Sequence, residues 1–268
     1  MNERKVFELQ EPTGWGYSLL RIAWVDETTI LATVLQPTGL QLRLINIVTK
    51  GAREIAQGGC ASLSPDRSSV AWVRGPGHTP TGDVWILETR SMQARQLMID
   101  TVQEGSFLEG GPVRASCLTW SPDGRRLAIT TGGVLSDGHL LIVAVANGQV
   151  QSKIESDGFK LGYPAWTPDG ERLAFTSALV GGEVKRIDTF EFRRRARSKL
   201  VDDPSRYGAR NLVYSPDGRD ILFDDLDRIF AFDGSRLRSM MAGTSPAWHA
   251  NRRFLTFVRR DSVYVVGQ

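Results

Sequence analysis

Few side chains in this sequence are of the kinds that do covalent or metal chemistry, and their spacing keeps them apart. The three histidines, His78, His139 and His249, fall in separate segments, so a three-histidine metal site would need all of them to converge on one axis. Asp66, Asp123, Asp169 and Asp217 are carboxylates of the type used in general acid–base pairs. Each one, however, closes the same short phrase, Ser/Thr-Pro-Asp. Recurrence in one phrase makes them equivalent turn residues, whose side chains close the turn rather than meet in a catalytic pair. Cys60 and Cys117 each stand four residues before such a phrase. They lack the clustered spacing of a zinc site, and two thiols in a chain this long do not make a disulfide framework. The expectation is two buried structural thiols.

Motifs that would place a reaction are missing. There is no Gly-x-Ser-x-Gly nucleophile elbow, no P-loop, no Gly-x-Gly-x-x-Gly after a strand, no His-Glu-x-x-His and no EF-hand loop. The sequence therefore predicts no catalytic residue, no metal and no cofactor.

What does recur is a structural phrase. It reads LSPDRSSVAWV from Leu63, WSPDGRRLAIT from Trp120, WTPDGERLAFT from Trp166 and YSPDGRDILF from Tyr214. Weaker copies are WVDETTILATV from Trp24 and WHANRRFLTFV from Trp248, which lack the Pro-Asp-Gly turn. The six anchors are separated by 39, 57, 46, 48 and 34 residues. The 268 residues divided by six copies give about 45 per repeat, within the range of a four-stranded propeller blade. Proline presets the turn and Asp-Gly completes it, so each phrase is a hairpin between two apolar runs. In the third copy the next run, Leu140 to Ala146, is wholly apolar, and Asn147-Gly148 then turns the chain into a more polar run. An apolar strand suits an inner position covered on both faces, Asn-Gly suits a tight hairpin, and a polar strand suits the outer edge.

The phrases of the form WSPDGxxLAF followed by a loop and a further apolar strand resemble the TolB-type, WD-like β-propeller repeat. That resemblance spans most of the chain and implies fold more than function, since such repeats occur both in scaffold proteins and in propeller domains attached to peptidases. Asp66-Arg67 and the copies at Val25 and His249 depart from the pattern. The expected fold is all-β: a six-bladed β-propeller with four-stranded blades, over 1–268 as a single domain. The blades fall at approximately 18–57, 59–100, 114–155, 161–203, 210–240 and 245–268 plus 4–9. The last assignment follows from counting. The sixth copy supplies only three strands, and Lys5 to Leu9 precedes the first copy, so the N-terminal strand is expected to close the last blade and remove the open ring. Trp24, Trp120, Trp166 and Trp248 share one repeat position, and Trp72 and Trp85 lie in strand runs; core packing is expected of all six.

Bulk properties narrow the partners. Lys and Arg number 33 against 30 Asp and Glu, a net charge of +3. A dedicated nucleic-acid binder carries a stronger, clustered excess. No apolar run approaches the roughly 18 residues of a membrane helix. The basic residues at the start are not followed by the apolar stretch of a secretory signal, so the expected location is cytoplasmic, or periplasmic or secreted if a signal has been removed.

Loops between blades frame the mouth of a propeller channel and are where a rigid scaffold carries function. The expected inter-blade loops, near 10–17, 57–59, 101–115, 156–162, 203–210 and 241–245, hold Trp15, Tyr17, Phe107, Phe159, Arg206, Tyr207 and Arg210. Exposed Trp, Tyr and Arg are enriched at interface hot spots, which makes these the candidate binding residues of a non-enzymatic scaffold for a protein or peptide. Two alternatives stay open. One is a propeller hydrolase or lyase with its site in the channel mouth. The other is an anion or nucleic-acid binder using the basic run Arg193, Arg194, Arg195, Arg197 and Lys199, whose plainer reading is a charged outer strand that resists edge-to-edge aggregation.

Overall fold

The structure, a computed structural model, describes residues 3–8, 18–75, 82–99, 115–131, 138–179, 185–202, 208–225, 227–249 and 253–267. Every regular element among them is a strand, and the strands form six four-stranded antiparallel sheets. Blade 1 holds β2 (Ser18–Trp24), β3 (Thr29–Gln36), β4 (Gly39–Asn46) and β5 (Ala52–Gln57). Blade 2 holds β6 (Gly59–Leu63), β7 (Ser69–Arg74), β8 (Asp83–Glu88) and β9 (Ala94–Gln96). Blade 3 holds β10 (Ala115–Trp120), β11 (Arg126–Thr131), β12 (Leu140–Ala144) and β13 (Val150–Ile154). Blade 4 holds β14 (Phe159–Trp166), β15 (Arg172–Leu179), β16 (Lys185–Glu191) and β17 (Ala196–Asp202). Blade 5 holds β18 (Arg210–Tyr214), β19 (Ile221–Asp224), β20 (Arg228–Phe232) and β21 (Leu237–Ala242). Blade 6 holds β22 (Thr244–Trp248), β23 (Phe254–Arg259) and β24 (Ser262–Gly267), and its fourth strand is β1 (Glu3–Glu8), paired antiparallel to β24.

The first strand of each blade packs on the first strand of the next, and β22 packs back on β2. That closes the ring. The apolar side chains fall into six clusters, each made by two neighbouring blades: 1 with 2, 2 with 3, and so on to 6 with 1. This is why the second and third strands are apolar on both faces. Phe175, Phe223 and Phe257, all in second strands, are completely buried.

The Ser/Thr-Pro-Asp phrase folds the same way four times. The hydroxyl of Ser64, Ser121, Thr167 or Ser215 donates to the following Asp, and its oxygen accepts the N–H five residues on. The Asp carboxylate also accepts the backbone N–H two residues ahead. The four aspartates are turn closers, one in each of blades 2 to 5. Gly124, Gly170 and Gly218 take φ of 69°, 72° and 74°, and in blade 2 Arg67 occupies the same left-handed position with φ 62°. The turns nest around the ring, so a side chain at Gly218 would meet Pro168 of the preceding blade at 3.3 Å.

The expectation of two separate thiols is overturned. Cys60 and Cys117 form a disulfide, with Cα atoms 5.2 Å apart. Inner strands of adjacent blades converge toward the axis, bringing residues of equal rank within bridging distance. Spacing along the chain showed only that the two hold the same place in neighbouring repeats, not that they bond.

Candidate functional site

Each inner strand carries a β-bulge at the same height. The pairing register shifts between Leu19 and Arg21, Gly59 and Ser62, Ala115 and Cys117, Gly162 and Ala165, Arg210 and Val213, and Thr244 and Ala247. Bulges re-aim side chains. The residues exactly three places before the six anchors are Arg21, Cys60, Cys117, Tyr163, Asn211 and Ser245. Four of them have positive φ: Cys60 48°, Tyr163 44°, Asn211 48° and Ser245 52°. For an aromatic residue such as Tyr163 this is a costly conformation, held only where the surrounding structure enforces it.

These residues meet across the axis. Arg21, in blade 1, donates from Nη1 to Sγ of Cys60 in blade 2 at 3.1 Å and to Sγ of Cys117 in blade 3 at 3.5 Å. It also interacts electrostatically with Tyr163 of blade 4 and Asp224 of blade 5. A side chain that senses blades 2, 3, 4 and 5 from blade 1 can only sit at the centre of the ring. Burial works against its charge and lowers its pKa, with Tyr163 and Asp224 acting in the opposite sense. Burial likewise raises the pKa of the Tyr163 hydroxyl, against the pull of the Arg210 guanidinium.

Asp224 is the only acid at its rank. The corresponding second-strand positions hold Thr33, Val73, Thr130, Thr176 and Val258, counted from the residues paired with the anchors. It is fully buried. Its Oδ2 accepts from Asn211 Nδ2 at 2.9 Å and from the backbone N–H of Ser245 in blade 6 at 2.8 Å. Ser245 Oγ in turn accepts the N–H of Ile22 in blade 1 at 2.9 Å. Polar links thus join blade 5 to 6 and 6 to 1, while the disulfide joins 2 to 3.

Of the residues expected at the loop face, Phe159 and Arg210 lie among those described; Trp15, Tyr17, Phe107, Arg206 and Tyr207 lie outside them. Phe159 and Arg210 are the first residues of their inner strands, at the channel end where inter-blade loops enter. The strand begins inside the expected loop 156–162, because Phe159 to Gly162 pair with β15 from Leu179 to Thr176. The Phe159 ring lies 4.1 Å from the Arg186 guanidinium and 5.4 Å from that of Arg197. Arg210 is partly buried and makes no hydrogen bond or ion pair with a described residue.

The basic run does not act as one surface. Arg193, Arg194 and Arg195 occupy the turn between β16 and β17 and are exposed. Arg194 pairs with Glu191 at 3.2 Å, and Lys199 with Asp202 at 2.9 Å. Arg197 turns inward, with its side chain 14% exposed, and its Nη2 lies 2.7 Å from Oδ2 of the fully buried Asp188. It also donates to Ser177 Oγ and to the carbonyls of Glu155 and Ser156. Arg186 holds the other oxygen of Asp188 at 2.8 Å. The two arginines beside Phe159 are therefore fixed from below by one buried carboxylate.

The described histidines do not converge. His139 faces Glu155, and His249 packs its ring on Trp24 at 4.2 Å; His78 lies outside the described residues. Among the described residues, no group of three or more His, Cys, Asp or Glu is placed to hold a metal ion.

No family model and no curated protein matches this chain. Solved structures do. TolB from Acinetobacter baumannii is 12% identical, with a TM-score of 0.59 over 94% of this chain and 55% of its own. This chain thus spans about half the length of that TolB. A gluconolactonase from Xanthomonas campestris is 10% identical, with a TM-score of 0.71 over 99% of this chain and 88% of that one. An oligogalacturonate lyase from Vibrio parahaemolyticus is 10% identical, with a TM-score of 0.55 over 99% and 96%. At these identities the likeness is one of fold alone, and the fold of this chain is a six-bladed propeller.

Sequence reasoning missed Arg21, Tyr163, Asn211, Asp224 and Ser245. For all but Asp224 the signal was available as a column, since every residue three places before an anchor is polar or a cysteine.

Proposed function

We propose that this propeller is a non-enzymatic binding module that holds a protein or peptide segment against its inter-blade loop face. The observation that carries this is the Phe159 platform. A partly buried ring on the first residue of an inner strand packs against the cluster shared by blades 3 and 4 and lies near two guanidiniums from the third and fourth strands of blade 4, both anchored to buried Asp188. Fixed aromatic and Arg groups bind without a large ordering cost, and they are the residue types that dominate interface energetics. Arg210 stands at the equivalent strand start one blade on, with no bond to a described residue. Trp15, Tyr17, Phe107, Arg206 and Tyr207 belong to the same reading through their loops.

The hydrolase or lyase alternative draws on the names of two structural neighbours. Asp224, the buried acid at the axis, is tied by Asn211 and Ser245 into a link between blades, which supports a structural role for it. The nucleic-acid alternative loses Arg197 to Asp188. Disulfides form and persist in oxidising compartments, so the Cys60–Cys117 bond supports such a location rather than the expected cytoplasmic one.

The test is partner capture by the wild-type protein and by Phe159→Ala and Arg210→Ala variants of unchanged melting temperature. The reading expects binding to fall at least tenfold in each. Full binding by both variants would remove it.

A further inference from the structure

Among the described residues, the channel axis holds donors without acceptors. Arg21 carries five N–H donors, yet the acceptors it reaches are the two disulfide sulfurs, through Nη1 alone. Sulfur is a weak acceptor. No carboxylate lies within ion-pair distance of Arg21 among the described residues, and neither the Tyr163 hydroxyl nor the Arg210 guanidinium has a hydrogen-bond partner among them. The one acid nearby, Asp224, spends an oxygen on Asn211 and on the Ser245 N–H. Among the described residues that is two cations against one anion.

Arg21, Tyr163 and Arg210 are each only partly buried, so their donors stay accessible to a ligand, and a planar guanidinium suits the paired oxygens of a carboxylate or phosphate. Tyr163 adds a hydroxyl from a backbone held at φ 44°, a conformation that persists only when neighbours impose it. We propose that the part of the channel framed by Arg21, Tyr163 and Arg210 is a binding site for a compact oxyanion, a carboxylate or phosphate group. This goes beyond the loop-face reading, with which it shares only Arg210, and it needs no protein partner.

The test is a thermal-shift titration of the whole protein, oxidised, with sodium phosphate and separately with sodium acetate. Each is compared with sodium chloride at equal ionic strength. The expected result is a saturable rise in melting temperature above the chloride control in at least one arm. The arm that responds tells a phosphate site from a carboxylate site. Arg21→Met and Arg210→Met should each weaken the midpoint at least tenfold. Tyr163→Phe should weaken it severalfold, and Arg219→Met on the opposite face should not change it. If Arg21→Met does not fold, Arg210→Met and Tyr163→Phe decide the matter, since neither removes a bond made by a described residue. No saturable rise over chloride in either arm would overturn the proposal. So would wild-type midpoints in the channel variants that fold, or an equal loss in Arg219→Met.

Discussion

The indole N–H of Trp24, in the first blade, donates to the hydroxyl oxygen of Thr256 in the sixth, 3.0 Å away and 232 residues later. Thr256 passes its own proton to the Ala247 carbonyl at 2.7 Å. The bond spans the junction where the ring must shut. On the outer side of that junction β1 completes blade 6, and Phe7 buries its ring in the cluster shared by blades 6 and 1.

Phe7→Ala should therefore destabilise the whole propeller and not merely fray its end. Removing a buried Phe costs about 3–5 kcal/mol, and Phe7 is 4% exposed. The check is urea unfolding, where the midpoint should drop with one cooperative transition retained. A change under 0.5 kcal/mol would mean that the N-terminal strand is not part of the closure.

The repeat and its closure were legible because turn chemistry is local. Pro-Asp-Gly and the flanking apolar runs report on neighbours within a few residues, and the count of three strands in the sixth copy left a role for Lys5 to Leu9. The axis was legible only as a column of polar residues and cysteines three places before the anchors; which of them meet was not, because the contacts are between residues of equal rank in different blades. Nothing near Cys60 in sequence announces Cys117, and nothing near Arg21 announces either. Arg197 was misleading for a related reason. Its run reads as a solvated charge cluster, but the regular pairing that sets Asp188 opposite Lys199 and Phe190 opposite Arg197 puts Asp188 and Arg197 diagonally on one face of the blade.

The disulfide closes a stretch of 57 residues. In the chain-entropy picture a loop of that size stabilises by about 4 kcal/mol. Reduction, or Cys60→Ala with Cys117→Ala, should lower the unfolding free energy by up to that amount without dissolving the ring, which the clusters between blades hold independently. Unfolding with and without reductant, with thiols counted by alkylation and mass spectrometry, checks this. Two alkylatable thiols in the untreated folded protein would contradict it.

Acid should weaken the turns. Hydrogen bonds from the Ser or Thr hydroxyl of the phrase, then from the following N–H, lower the pKa of Asp66, Asp169 and Asp217 below 3.8. At Asp123 partial burial pushes upward, but the Ser121 hydroxyl, the Arg125 N–H and the nearby arginines together outweigh it. Asp233, bonded by the N–H groups of Arg236 and Ser235, is lowered to about 2. A carboxyl with a depressed folded pKa stabilises fully above its unfolded value and loses that contribution as pH falls through the folded one. Stability should thus be flat from neutral pH down to about 4 and decline from there toward 2. Asn at Asp123 and Asp169 should flatten the decline in melting temperature; a decline unchanged by both substitutions would contradict the assignment.

Asp188 and Arg197 should behave as one buried unit. Breaking a buried pair by removing one partner costs about 3–5 kcal/mol, whereas an exposed site such as Arg193 should change stability by less than about 0.5 kcal/mol. Denaturant unfolding of Arg197→Ala and Arg193→Ala separates the two. Equal effects would restore the run to a uniform surface stripe.

Binding at the loop face is the central claim, and face-resolved photo-crosslinking tests it most directly. A photoreactive residue is placed at Lys160, beside Phe159 at the channel mouth, or at Glu171, in a turn of the opposite face; both positions are exposed. The account predicts a discrete protein cross-link in native cells from position 160, lost when Phe159 and Arg210 are also changed to alanine, and none from position 171. Cross-links that arise from position 171, or that persist from position 160 in the alanine background, would contradict it.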